Sequence, residues 1–456
     1  VSTATSVPSS PAPEETELKR AISGRLLLFF VLGDVLGAGI YALVGEVAGR
    51  TGGAAWAAFL VALVLAVLTA TAYAELVTKY PDAGGAALYA HRAFNRRTLT
   101  FLVMFAVMLS GMTSAATLSR AFAGDYLDAL FDAPELLAAL VFIGVVALVN
   151  ARGISESVRV NVVLTTIEVL GLLLVLVIGI AAIADGGGDI DGGRAFQVEE
   201  GEAVAWAILG GATLAFYALI GFEDSVNVAE ETQDPRRSYP PALFGALGIA
   251  GAIYVAITIV AVTVVPVGTL SGSSGPLLEV TGRGPLAVDD QVFSVIALLA
   301  VANGALLNMI MASRVLYGMS RRGIVPPVFS KVLPGRRTPH VAIATTTLVA
   351  AGLIAIGKLD QLADTTVLLL LLVFSIVNLA VLALRSDVVD HDHYRAPTWA
   401  PVVGVAVIVL LLTQTDGSAW TLVAPLLAAG LALSFLVRPG SEADAVRVLA
   451  DDPGDR

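Results

Sequence analysis

Apolar residues dominate this chain in runs long enough to cross a bilayer, broken by short polar or glycine-rich segments. A membrane-spanning helix needs about 20 mostly apolar residues. By that measure the sequence predicts twelve spans, roughly 25–48, 54–78, 98–122, 135–151, 159–184, 203–229, 240–266, 291–320, 339–357, 361–384, 399–413 and 418–437. Before them, residues 1–22 are rich in Ser, Thr, Pro and Glu and read as a disordered tail with no signal peptide. After them, 438–456 reads as a short acidic tail. The connections around Asp185–Asp191 and Glu199–Glu202 are acidic and glycine-rich, as solvated loops are.

Composition agrees with an all-α integral membrane protein. Of 456 residues, 57% are hydrophobic and only 14% charged, and mean hydropathy is +0.83, which excludes an ordinary soluble enzyme. The formal charge of -11 argues against nucleic acid as a partner. Only four of the 27 basic residues are lysines, and this acidic, lysine-poor balance would suit concentrated salt. With no cysteine, thiolate metal sites and disulfides are excluded. His391 and His393 form a lone pair without the further ligands a zinc site wants, so neither metal nor cofactor is expected.

Basic residues also orient the chain. Numbering the spans in order, 21 of the 27 fall on the side of the two tails, against Arg50, Arg194, Arg283 and Lys358 on the other. The positive-inside rule then puts both termini in the cytoplasm, within a multi-pass protein of the cell membrane.

Polar chemistry at membrane depth is tolerated where irregular backbone lines a cavity, so interrupted spans mark a candidate site. Span 1 holds Gly33-Asp34-Val35-Leu36-Gly37-Ala38-Gly39-Ile40-Tyr41, and span 6 holds Phe216-Tyr217-Ala218-Leu219-Ile220-Gly221-Phe222-Glu223. Being five spans apart, they hold corresponding places in two five-helix halves. Amides freed at Gly37 to Gly39 suit a carboxylate, and carbonyls freed around Tyr217 to Ile220 suit an ammonium group. Glu168, in mid-span 5, and Glu223 are intramembrane carboxylates and hence candidate proton carriers. Glu223 has an alternative use, as a hydrogen-bonding brace for the unwound segment. Asp34, Glu46 and Glu75 lie nearer the expected span ends, where solvation accounts for them.

From about residue 25 to 437 the chain resembles the amino acid, polyamine and organocation superfamily of permeases. The motifs are Gly37-Ala38-Gly39-Ile40-Tyr41 on span 1, Tyr217 to Glu223 on span 6, and then Glu230, Glu231, Asp234, Pro235 and Pro240. Pro81 to Gly85 with Tyr89, and Ser313 to Tyr317 with Gly323 and Pro326, add to them. Ala87 and Arg322 depart from the residues usual there.

The resemblance implies a LeuT-like fold. Two inverted repeats, about 23–184 and 203–384, would be followed by two extra helices, about 399–437, within one transporter domain over 23–437. It also implies a substrate site. Amides of Ala38 and Gly39 would hold the carboxylate of an amino acid, and carbonyls of Val35, Tyr217 and Ile220 its amine. Gly37, Ile40 and Ala218 complete the candidate set. Tyr217 would be the lid and Gly221 the hinge. Where proton-coupled relatives carry a lysine on helix 5, Glu168 stands here.

The implied function is alternating-access transport of an amino acid, with proton symport the expectation and uncoupled exchange or a non-transporting sensor the alternatives. Neutral side chains are expected, because spans 3 and 8 carry no acid in mid-span. Scattered histidines argue against a membrane enzyme, and the lack of a filter-like repeat argues against a channel. Oligomeric state is not legible.

Overall fold

The computed structural model describes residues 20, 22–37, 39–82, 84–152, 157–188, 193–198, 203–321, 323–333, 336, 338–415 and 417–436, leaving aside the side chains at 157–161 and 436. Both expected tails lie outside these residues, apart from Arg20 and Ile22. Among the described residues the structure is helical, with one isolated bridge, Ile22 to Thr232.

The elements are, in chain order, α1 (Gly24–Val35), α2 (Gly39–Thr51), α3 (Ala55–Lys79), α4 (Gly85–Phe94), α5 (Arg97–Phe122), α6 (Asp125–Asp128), α7 (Glu135–Arg152), α8 (Ser157–Ala184), α9 (Val204–Tyr217), α10 (Pro235–Val264), α11 (Val267–Gly272), α12 (Pro276–Thr281), α13 (Asp290–Arg321), α14 (His340–Ile356), α15 (Leu359–Ala383), α16 (Trp399–Leu412) and α17 (Gly417–Leu436). Each of the twelve hydrophobic runs contains helix, and among the described residues eight helical stretches are by themselves long and apolar enough to cross a membrane. Span 1 is split into α1 and α2. Span 6 is α9 followed by turns and a short 3-10 segment, Asp224–Val228. Span 7 begins at Pro235, earlier than hydropathy suggested, because proline is preorganised for the first helical turn.

Lipid is as apolar as leucine, so these helices associate through close packing and internal polar contacts. The outward faces accordingly expose large apolar side chains such as Leu148, Val163, Leu170, Leu348 and Ile356. Inside, many hydroxyls are satisfied within their own helix. Thr78 donates to the Ala74 carbonyl at 2.7 Å and Ser119 to Ala115 at 2.7 Å. Cross-helix polar links are fewer and placed at helix contacts: Thr366 to Thr113 joins α15 to α5 at 2.7 Å, and Asn150 of α7 donates to the Met309 carbonyl of α13 at 3.3 Å.

The two ends of the bundle differ. At the basic end, Ile22 donates to the Glu231 carbonyl at 3.0 Å and accepts from the Gln233 amide at 2.8 Å, tying the start of α1 to the segment before α10. There too Arg385 pairs with buried Glu75 at 3.2 Å, and Lys79 donates to the Leu384 carbonyl at 2.6 Å, joining the ends of α3 and α15. At the opposite end α11 packs on α2. Arg50 holds Asp364 of α15 in a two-pronged pair, Nη2 to Oδ2 at 2.7 Å and Nη1 to Oδ1 at 3.3 Å.

Candidate functional site

Both interruptions anticipated from glycine content are breaks in the helices, and they pack on each other. A Cβ added at Gly39 would lie 2.6 Å from the Cα of Ala218, closer than non-bonded carbons approach. Gly221 has φ +121, a conformation open to glycine and few other residues, and a Cβ there would lie 2.8 Å from the backbone of Asp34. Close approach of the two broken segments therefore needs glycine at both contacts. Gly39→Ala is expected to lower stability by about 1–3 kcal/mol through overpacking. Gly144→Ala, where a Cβ meets nothing within 4 Å, should be neutral; thermal melts in detergent compare the two.

Around the breaks lies a cavity of about 40 Å³. Of the predicted binding residues, Val35, Gly37, Gly39, Tyr217, Ala218, Ile220 and Gly221 line it. Ala38 lies outside the described residues. Ile40 is fully buried in the packing of α2 and is not among the lining residues. The carbonyl of Val35 already accepts from the Tyr254 hydroxyl at 2.7 Å, leaving one lone pair for a ligand. Tyr217 reaches across to span 3, its hydroxyl 2.9 Å from Ser114 Oγ.

Several wall residues were not anticipated: Ser114 and Leu118 from α5, Leu307 and Asn308 from α13, and above all Asp34 and Asp224. Asp34 had been placed near a span end. The split of span 1 instead puts it at the break, beside Gly221.

Toward the basic end this cavity adjoins a vestibule of about 440 Å³, with Phe30, Met104, Ile310 and Met311 on its walls. Asp34, Asp224 and Leu307 belong to both spaces. Toward the opposite end the path is packed shut. Tyr41 stacks on Phe293 with centroids 6.2 Å apart, Tyr126 donates to the Tyr41 carbonyl at 2.8 Å, and the Arg50–Asp364 pair lies beyond.

The two candidate proton carriers occupy different settings. Glu223 faces the vestibule, and its Oε2 accepts from the Gly221 amide at 2.9 Å, bracing the turn. Glu168 lies behind the cavity wall, where α8 meets α2 and α13. Its Oε1 accepts from Asn303 Nδ2 at 3.1 Å, its backbone carbonyl accepts from the Tyr41 hydroxyl at 3.0 Å, and its Oε2 is buried without a partner. Asn303 carries no charge, so nothing in the sequence of span 8 singles it out.

A basin of about 770 Å³ at the opposite end is lined by Asp125, Asp128, Glu279 and Asp290 around Arg283. Among the described residues no three His, Asp or Glu side chains gather as a metal site.

Comparison with known proteins agrees with this architecture. Residues 22–432 match the family described as amino acid permease. The chain is 31% identical over 359 residues to the chloroplastic cationic amino acid transporter 9 of Arabidopsis thaliana, covering 72% of this chain and 61% of that one. It is 26% identical to the methylthioribose transporter of Bacillus subtilis (strain 168), covering 88% of each chain. To the branched-chain amino acid permease BcaP of the same organism it is 25% identical, covering 87% of this chain and 88% of that one. These relatives are transporters and not enzymes, and a match over nearly the whole of the described bundle means that the chain belongs to the amino acid permease family.

Proposed function

We propose that this permease is a secondary active transporter that moves amino acids across the cell membrane by alternating access, accumulating them with a proton carried on Glu168. The observation that carries the reading is the pair of opposed breaks in spans 1 and 6, enclosing a cavity open toward one end and packed shut toward the other. Polar backbone at membrane depth serves a solute that sheds its water there. The zwitterion would set its carboxylate against the amides that begin α2 and its amine against carbonyls of the broken segments. With the termini cytoplasmic, as the arginine distribution indicates, the conformation is inward-facing and the LeuT-like repeats would rock about this site.

Support for Glu168 as the carrier is its unpartnered oxygen. A buried acceptor without a donor wants a proton or a cation, and one amide from Asn303 satisfies only the other oxygen. Glu223 already has a structural occupation, and a glutamine oxygen can accept the same Gly221 bond. Glu223→Gln is therefore expected to keep gradient-driven uptake within about 3-fold of the parent, since the acceptor is preserved; initial rates in proteoliposomes check this.

The testing experiment is uptake of pooled labelled amino acids into proteoliposomes, with and without an inward proton gradient. Accumulation that needs the gradient supports symport. Uptake that responds to preloaded amino acid but not to the gradient would replace symport by exchange, and saturable binding without flux would leave a sensor.

A further inference from the structure

The expectation of a neutral side chain rested on spans 3 and 8, which carry no mid-span acid. The cavity takes its charge from the two broken spans instead. Asp34 of α1 and Asp224 of span 6 stand where the cavity meets the vestibule and line both. Glu223 beside them is engaged by the Gly221 amide, but among the described residues neither Asp34 nor Asp224 is held in an ion pair or accepts a hydrogen bond through its side chain. Arg314 lines the vestibule without pairing with either.

We propose that Asp34 and Asp224 together recognise a positive charge at the far end of the substrate's side chain, so that the permease selects elongated cationic amino acids over neutral ones of the same length. This inference rests on the amino-acid reading above and specifies the side chain that the site accepts. Three observations carry it. A cavity of about 40 Å³ cannot enclose a long side chain, so a substrate anchored at the breaks must extend, and the larger space next to it is the vestibule, whose shared wall with the cavity includes both aspartates. Carboxylates at this depth are costly unless paired, and a cationic ligand supplies the missing partner for both. A neutral side chain would leave them uncompensated each time the site closed. Finally, the carboxylates come from the two segments that pack through Gly39–Ala218 and Asp34–Gly221, so a charge bound between them contacts both moving parts at once.

Charge is separated from size by isosteric pairs: arginine against citrulline, and lysine against norleucine. Initial uptake rates into proteoliposomes give kcat/KM for each, at zero and at imposed membrane potential so that the driving force on the cation is controlled. At zero potential arginine should exceed citrulline by at least about tenfold, and lysine should exceed norleucine likewise. In Asp34→Asn and Asp224→Asn each ratio should fall toward one, and Asp224→Glu should restore part of it. Monodisperse elution and an unchanged helical circular dichroism spectrum show that the variants fold. Citrulline and norleucine transported as well as arginine and lysine would overturn the inference and leave amino acid transport standing, as would ratios unchanged in both asparagine variants. Failure of every amino acid to bind or be transported would overturn the underlying reading as well.

Discussion

In proteoliposomes bearing an inward gradient of one pH unit, the parent protein is expected to accumulate substrate and Glu168→Gln is not. One pH unit stores about 1.4 kcal/mol per proton, so symport of one proton with one substrate supports about a tenfold concentration ratio at equilibrium. Glutamine keeps the size of the side chain and an oxygen to accept from Asn303, but it cannot take up and release a proton. The variant should therefore settle near a ratio of one while still exchanging labelled for unlabelled substrate. Exchange is the informative half of the measurement, because a misfolded variant loses both activities. A tenfold ratio persisting in Glu168→Gln would remove Glu168 from the coupling mechanism, and the loss of exchange along with accumulation would make its role structural. The neighbourhood favours loss of accumulation with exchange retained. Tyr41 bonds the Glu168 backbone, not its carboxylate, so the helix contact survives neutralisation of the side chain.

The spans were legible in the sequence because hydrocarbon enforces a length and a polarity that hydropathy measures directly. The breaks were legible because Gly37 and Gly39, and Gly221 beside Glu223, are poor choices for an unbroken helix in lipid. Connecting helices such as α4, α11 and α12 were missed: they are only 10, 6 and 6 residues long, too short for such a signal. Asp34 is different: on a span from 25 to 48 it lies within three residues of the midpoint, so its depth was legible, and what the sequence does not give is that the split of the span sets it at the break beside Gly221. Partners separated by hundreds of residues were invisible for want of any local signature. Glu75 finds Arg385 and Glu168 finds Asn303 only once the helices are assembled.

Arg50 and Asp364 are such a pair, and breaking it should have the largest effect on stability and on which end of the cavity is closed. The two partners are unequally buried: the Asp364 side chain is 1% exposed and that of Arg50 24%. Removing the guanidinium takes a two-pronged, charged donor from a carboxylate in a dry setting, whereas removing the carboxylate leaves an arginine that still reaches water. Arg50→Met is thus expected to cost about 3 kcal/mol, at the low end for a buried pair because Arg50 is partly solvated, and Asp364→Asn about 1 kcal/mol. The double replacement Arg50→Met with Asp364→Leu should recover most of the loss, since it removes both charges. Melting temperatures would order the three variants, and equal losses in the two single variants would refute the burial argument. The pair also joins α2 to α15 across the closed end, so its loss should favour the arrangement open there, about tenfold in population for each 1.4 kcal/mol removed from the closed one. The chain contains no cysteine, so a single Leu118→Cys in the cavity wall can report this without background. Reaction of that thiol with a membrane-impermeant reagent applied from the Arg50 side should be slow in the parent and much faster with Arg50→Met. An unchanged rate would mean that the pair stabilises the bundle without holding that end closed.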